Sequence, residues 1–351
     1  MKNDLHYVLW EVTQRCNLCC IHCRAAASPQ TPEENLIKGD DMVRLMKELK
    51  ELGCPTLALT GGEPLLRPDI VDIVKEATRQ GIKVRIQSNS LLLTEGIAKL
   101  LKEAGLYSFG VGLDGSRPEV SDKIRNLNGA FDKAISSIEL LKKLGMKVHV
   151  EFTVTRINKD DLVATLDLLE NLGVDTFLAR AAIFTGRATE DNPIFVLKPL
   201  EYKKFLKELS EERKRRKINI IINCQDPLYH LADSSIIDKL KEFGDIYSGK
   251  IISGCTAGQN MMHIRCDGKI GVCTFLQDVV LGDFYKESLV DIWENRKNIE
   301  DIRRLISREY GGACGVCSDR FICGGCRARA LLINKDLMAE DPYCWKNKRN
   351  K

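Results

Sequence analysis

Three cysteines on one short stretch set the first constraint. Cys16, Cys20 and Cys23 follow the spacing C-x3-C-x2-C just after an apolar run. Three thiolates on such a loop can hold three irons of a cubane iron–sulfur cluster and leave the fourth open to a small molecule. A zinc ion would ask the loop for a fourth donor, for which Cys19 and His22 are at hand, so the loop alone leaves both metals open. Gly61, Gly62, Glu63 and Pro64 form a second constellation. Paired glycines let backbone carbonyls approach a ligand, and a carboxylate can accept hydrogen bonds from an amine. An ordinary strand-end turn is the plain alternative, and the position beside the cysteine loop argues against it.

A third constellation lies late in the chain: Cys255, Cys273, Cys314, Cys317, Cys323, Cys326 and Cys344, with Cys266 between the first two. The pairs Cys314/Cys317 and Cys323/Cys326 stand too close together for a zinc ribbon, whose pairs are usually about 15–20 residues apart. These seven thiolates are nearly enough for two clusters of four. The chain has 14 cysteines in all. No secretory signal accompanies them, so metal or redox chemistry is a stronger reading than a disulfide framework. Cys54 and Cys224 stand alone and read as small buried hydrophobes.

Elements must position these groups. From residue 7 to about 182, strand patterns alternate with helical ones. Strands are predicted at 7–13, 56–60, 83–87, 108–113, 147–155 and 176–181. Helices are predicted at 40–52, 69–80, 94–104, 130–144 and 159–172. Six strands, each followed by a helix or loop, imply a parallel sheet with helices outside. A doubly wound sheet and a partial (β/α) barrel both fit, and in either the site lies at the carboxyl ends of the strands. The cysteine loop, residues 61–64, Ser88 to Ser90 and Asp114-Gly115 all fall there.

Residues 186–253 read as a helical bridge, with the basic run 212–217 as a solvated helix face. Asp267-Gly268 marks a hairpin turn between 261–266 and 269–274. One helix is predicted over 289–308, and the tail 346–351 reads as disordered.

The chain has 351 residues, 44% apolar and 29% charged, which is a globular composition with a sizeable core. A net charge of +4 does not argue for nucleic acid as a partner. No signal peptide and no apolar stretch long enough to span a membrane is visible. The expectation is a cytoplasmic protein.

Together, Cys16-Asn17-Leu18-Cys19-Cys20-Ile21-His22-Cys23 and Gly61-Gly62-Glu63-Pro64 resemble the radical S-adenosylmethionine superfamily. In that family the amino and carboxylate groups of S-adenosylmethionine chelate the open iron. One electron from the cluster breaks the sulfur–C5′ bond, and the 5′-deoxyadenosyl radical abstracts a substrate hydrogen. The resemblance implies a partial (β/α)6 TIM-like barrel within the α/β class, with a C-terminal cysteine-rich domain. It puts a 4Fe–4S cluster on Cys16, Cys20 and Cys23, and His22 near the adenine. It places Gly61, Gly62 and Glu63, with Pro64, around the methionine amino group. Ser88, Asn89 and Asp114 join the cosubstrate contacts. The segment Val111-Gly112-Leu113-Asp114-Gly115 resembles the family's Ser-Leu-Asp-Gly pattern with Gly112 at the serine position, so one expected side-chain contact is missing. Arg125 resembles the arginine that binds the cosubstrate carboxylate, a group its fork suits, although Asn126 follows it where glycine is usual. Cys19 stands where relatives carry a basic residue and reads as a non-ligand.

The later cysteines resemble the SPASM domain, which holds two auxiliary clusters. By position, Cys314, Cys317, Cys323 and Cys344 would hold the outer one. Cys255, Cys273 and Cys326 would hold the inner one, with Cys266 as the candidate fourth ligand. Without Cys266 the inner cluster keeps an open iron that could touch substrate. The last Cys-x2-Cys is one residue shorter than the commonest form. The resemblance covers nearly the whole chain. It divides the chain into a core over 1–185, the bridge over 186–253 and the SPASM region over 254–351. It implies three 4Fe–4S clusters, S-adenosylmethionine, and an electron donor such as ferredoxin or flavodoxin.

Two auxiliary clusters suggest a reaction that moves electrons after hydrogen abstraction. Cys23-Arg24-Ala25-Ala26-Ala27 and Cys323-Gly324-Gly325-Cys326-Arg327-Ala328-Arg329-Ala330 look most like the branch that modifies tetrapyrrole side chains in heme and heme d1 formation. The chain starts a few residues before strand one, so a fused leader-peptide-binding domain is not expected. Ribosomal-peptide or protein maturation is the alternative. A non-enzymatic electron carrier or zinc scaffold is the remote one, since neither needs an open iron beside a Gly-Gly-Glu-Pro loop.

Overall fold

Strand β1 (Tyr7–Thr13) leads directly into the cysteine loop, and the rest of the sheet is laid down around it. The computed structural model describes residues 5–32, 35–189, 196–216, 220–242 and 254–346. After β1 come α1 (Gly39–Glu51), β2 (Thr56–Gly61), α2 (Ile70–Arg79), β3 (Lys83–Ser88), α3 (Glu95–Glu103) and β4 (Ser108–Gly112). Then come α4 (Pro118–Arg125), α5 (Ala130–Lys143), β5 (Val148–Val154), α6 (Leu162–Asn171) and β6 (Thr176–Ala181). The helices follow the apolar spacing of the sequence: α1 buries Met42, Leu45, Met46 and Leu49 on one face.

Strands β1 to β6 are parallel and lie side by side in chain order. A doubly wound sheet would reverse its strand order part-way. Here the order never reverses, so right-handed crossovers leave every helix on one face and the sheet curls into a partial TIM-like barrel. Between helices and strands lies the main apolar core, with Trp10, Phe109, Phe152 and Phe177 almost fully buried.

The bridge is not only helical. After α7 (Pro199–Arg215) a short strand, β7 (Ile221–Cys224), pairs in parallel with β6, ahead of α8 (Ser235–Lys241). Four residues with Ile221 exposed carry too little alternation to read as a strand. The basic run also departs from a solvated face. Arg216 is buried and pairs with Glu212, Asp167 and Glu170, and Arg213 pairs with Asp233. Lys217 lies outside the described residues.

The cysteine-rich region opens with β8 (Met261–Ile264), which pairs in parallel with the free side of β1. Antiparallel β9 (Lys269–Gly271) and β10 (Val280–Asp283) complete a ten-stranded sheet. The expected helix over 289–308 is two helices, α9 (Leu289–Asn295) and α10 (Glu300–Ser307), joined by a 3-10 turn. Arg296 explains the break. It turns inward and donates to the carbonyls of Gly258, Gln259 and Trp293. Of two short helices that follow, α11 (Gly312–Gly315) carries Cys314 and α12 (Arg327–Asn334) begins directly after Cys326. Lys346 pairs with Asp319, and the rest of the tail lies outside the described residues. No helix among the described residues is long and apolar enough to cross a membrane.

Candidate active site

At the carboxyl ends of β1 to β6, one cavity is lined by Cys16, Cys20 and Cys23 together with His22, Gly61, Gly62, Ser88, Asn89 and Arg125. Cys19 is not among its lining residues. The three cysteines pack with Leu18, Ala27 and Leu91 in a small cluster of their own. Backbone N–H of Leu18 faces the Cys16 sulfur at 3.4 Å, and the Asn89 amide faces it at 3.6 Å. Burial pushes the Cys16 thiol up to about 12 and raises Cys20, so metal must displace their protons. Among the described residues no three His, Cys, Asp or Glu side chains converge on a single ion position. Three thiols on one loop around a cavity suit a cubane with one open iron.

The glycine pair does its first work on the protein itself. A Cβ on Gly61 would sit 2.2 Å from the Thr13 carbonyl oxygen, and one on Gly62 would sit 1.8 Å from that of Arg15. Gly61 also has φ +125°, a value side chains disfavour. The pair lets β2 pass hard against the root of the cysteine loop, joined by Gly62 N to Thr13 O at 2.7 Å and Glu63 N to Arg15 O at 2.8 Å. Glu63 is fully buried and does not line the cavity. Its Oε1 accepts from Leu65 N at 3.0 Å and Ser88 Oγ at 2.7 Å, and its Oε2 accepts from Asn89 N at 2.7 Å. Burial raises its pKa against the pull of those donors. The carboxylate thus holds the ends of β2 and β3 together. Pro64 is buried and opens the 3-10 turn that follows.

Asp114 is fully buried beyond β4 and binds Arg125 at 2.7 Å and His22 Nε2 at 3.5 Å. Burial drives His22 down to about 4, with Asp114 opposing and Arg125 assisting, so the imidazole at the cavity wall is neutral near pH 7. The missing serine at Gly112 has a physical reason. A Cβ there would lie 2.6 Å from both Nη atoms of Arg125, so the guanidinium occupies the room a side chain would need.

In the second region Cys314, Cys317, Cys323 and Cys344 line one cavity. Backbone N–H groups of Asp341, Asp319 and Gly325 face the sulfurs of Cys314, Cys317 and Cys323 at 3.3–3.4 Å. Arg327 Nη2 approaches Cys314 at 3.8 Å. Donors around sulfur are what a cluster thiolate needs. Cys255, Cys273 and Cys326 pack against one small apolar cluster, and the Cys255 thiol acts on both of the others. Cys266 is buried in the β8–β9 turn, where its thiol feels Glu11, Asp267 and Arg265. Cys54 is buried and Cys224 half-buried against the main core, as expected.

The family model described as Radical SAM superfamily matches residues 10–169, and that of SPASM, an iron–sulfur cluster-binding domain, matches residues 255–318. The AdoMet-dependent heme synthase of Methanosarcina barkeri (strain Fusaro / DSM 804) is 31% identical over 98% of this chain and 97% of that protein. The chain belongs to the radical SAM superfamily. It is an S-adenosylmethionine-dependent enzyme with a SPASM domain. This radical SAM chain is also similar to the Fe-coproporphyrin III synthase of the same organism, 27% identical over 99% of this chain and 89% of that protein. Among solved structures, SuiB of Streptococcus suis bound to precursor peptide SuiA shares the fold, with a TM-score of 0.79 and 18% identity over 98% of this chain and 76% of that one.

The radical SAM cavity also holds groups that sequence reasoning missed. Arg24, next to Cys23, forms an ion pair with Glu11 of β1 at 2.5 Å, and Glu11 meets His263 of β8 at 3.3 Å. Burial alone would raise Glu11, and Arg24 with His263 reverses that strongly. Arg180 of β6 pairs with Glu151 of β5 at 2.7 Å. The available signal was a lone charge inside an otherwise apolar strand, as in Phe-Leu-Ala-Arg-Ala.

Proposed function

We propose that this enzyme modifies the side chains of a tetrapyrrole by radical S-adenosylmethionine chemistry in the cytoplasm. The observation that carries the reading is the near full-length similarity to the AdoMet-dependent heme synthase. Cys16, Cys20 and Cys23 would hold the first cluster, and the seven later cysteines two auxiliary clusters, three in all. When bound, the first cluster and S-adenosylmethionine supply the one-electron chemistry that removes a substrate hydrogen atom. Arg125 would orient the cosubstrate carboxylate, neutral His22 would lie against the adenine, and Glu63 would hold Ser88 and Asn89 at the cavity wall. A ferredoxin or flavodoxin would deliver electrons.

Anaerobically reconstituted protein should hold about twelve irons, four per cubane. It should form 5′-deoxyadenosine in step with consumption of a tetrapyrrole. Replacing Cys16, Cys20 and Cys23 together by alanine should remove one cluster and stop 5′-deoxyadenosine formation. Zinc as the dominant metal, or undiminished cleavage in the triple variant, would overturn the proposal. Turnover of a peptide with no tetrapyrrole consumed would move the assignment to peptide modification.

A further inference from the structure

The barrel interior beside the cavity carries more cation than anion. Arg85 of β3 and Arg180 of β6 both act on Tyr7 and His149, and Glu151 lies among them. Burial pushes His149 down to about 3 and the Tyr7 hydroxyl up to about 12, so both are neutral near pH 7. One carboxylate therefore faces two arginines. Arg180 gives Nη2 to Glu151 at 2.7 Å, whereas Arg85 meets no carboxylate among the described residues and only faces the Tyr107 ring at 5.7 Å. The Nε atoms of both are buried without a hydrogen-bond partner there. Of the other arginines of the cavity, Arg24 pairs with Glu11, and Arg125, paired with Asp114, is the one assigned to the cosubstrate carboxylate. Glu151 engages only one edge of the Arg180 guanidinium, and a half-used fork suits a planar anion. Only Arg180 of the two lines the cavity, and beside it Ala181, Ala182, Ile183 and Phe275 form an apolar wall.

We propose that Arg180 receives a carboxylate of the substrate, while the apolar wall takes the adjoining ring system. The assignment rests on the tetrapyrrole reading, because a ring bearing short carboxylate arms presents both surfaces at once.

The cluster-loaded enzyme can be titrated by absorbance with Fe-coproporphyrin III and with its tetramethyl ester. The parent should bind the acid about tenfold or more tightly than the ester. Arg180→Gln should abolish that preference, and Arg180→Lys should keep part of it, which separates lost charge from misfolding. Glu151→Gln frees the rest of the fork and should tighten the acid alone. Equal binding of acid and ester by the parent would overturn the assignment. So would a loss of S-adenosylmethionine affinity in Arg180→Gln, which would place Arg180 in the cosubstrate site. If neither porphyrin binds to a parent that cleaves S-adenosylmethionine, the tetrapyrrole reading itself fails and the assignment falls with it.

Discussion

Glu63 has a structural task that residue type alone does not announce. The cysteines were legible because ligand chemistry resides in the side chain and its spacing. The direction of a carboxylate resides in the turn that carries it, and that turn is set by two glycines closing on Thr13 and Arg15. Glu63→Gln keeps the shape but turns one acceptor into a donor, which then faces Leu65 N and Ser88 Oγ or else Asn89 N. One clashing buried donor should lower stability by about 1–3 kcal/mol. It should also weaken S-adenosylmethionine binding through the displaced Ser88 and Asn89, while all clusters remain. Anaerobic denaturation and cosubstrate titration check this, and parent-like values in both would show a Gln fits the turn unstrained. Gly112→Ser tests the neighbouring claim. The new side chain should push Arg125 off Asp114 and reduce cosubstrate affinity about tenfold, one lost charge-assisted contact, with iron content unchanged. Unaltered affinity would mean that Arg125 reseats freely.

At the scale of elements, β1 to β6 were readable because their apolar alternation and the helices between them obey simple periods. What stayed hidden was the structure made by charges. Arg216 reads as one cation in a basic run, yet it joins the end of α7 to Asp167 and Glu170 on α6. Arg216→Ala should destabilise the protein by about 1–3 kcal/mol, at the lower end if solvent screens the half-exposed Asp167. Urea unfolding reads the change, and a shift no larger than that of Arg79→Ala on the surface of α2 would reduce the knot to decoration. Strand β4 hides another device. Its glycines at 110 and 112 present no side chain, so Gln87 reaches His149 at 2.7 Å across one and Arg125 lies over the other. A glycine in a strand signals close approach, but nothing local says what approaches.

The whole molecule places two metal-binding regions on one continuous sheet. Cys273 follows β9, Cys23 follows β1, and the Arg24–Glu11–His263 chain runs between the loop of the first region and a strand of the second. On the other side Arg329 of α12 binds Asp226 of the bridge and Asp341 near Cys344. Division of labour between the regions gives a direct expectation. Cys314→Ala with Cys317→Ala should lose the outer cluster and substrate conversion, while S-adenosylmethionine cleavage with dithionite stays detectable. Circular dichroism and the remaining iron must be checked first, because metal binding can supply folding energy. Conversion at the parent rate by a folded double variant would make that cluster structural.

The pairing of β8 with β1 bears on how such a protein can be cut. Tyr7 to Trp10 meet Met261 to Ile264 in register. A fragment ending before β8 would keep every helix–strand repeat and still expose the backbone of β1 along its full paired length. A bare rim of apolar strand is a template for self-association, and this rim leads straight into Cys16. Such a fragment should precipitate as oligomers instead of behaving as a small autonomous catalyst, and co-expressing the missing piece in trans would be the way to keep it dispersed.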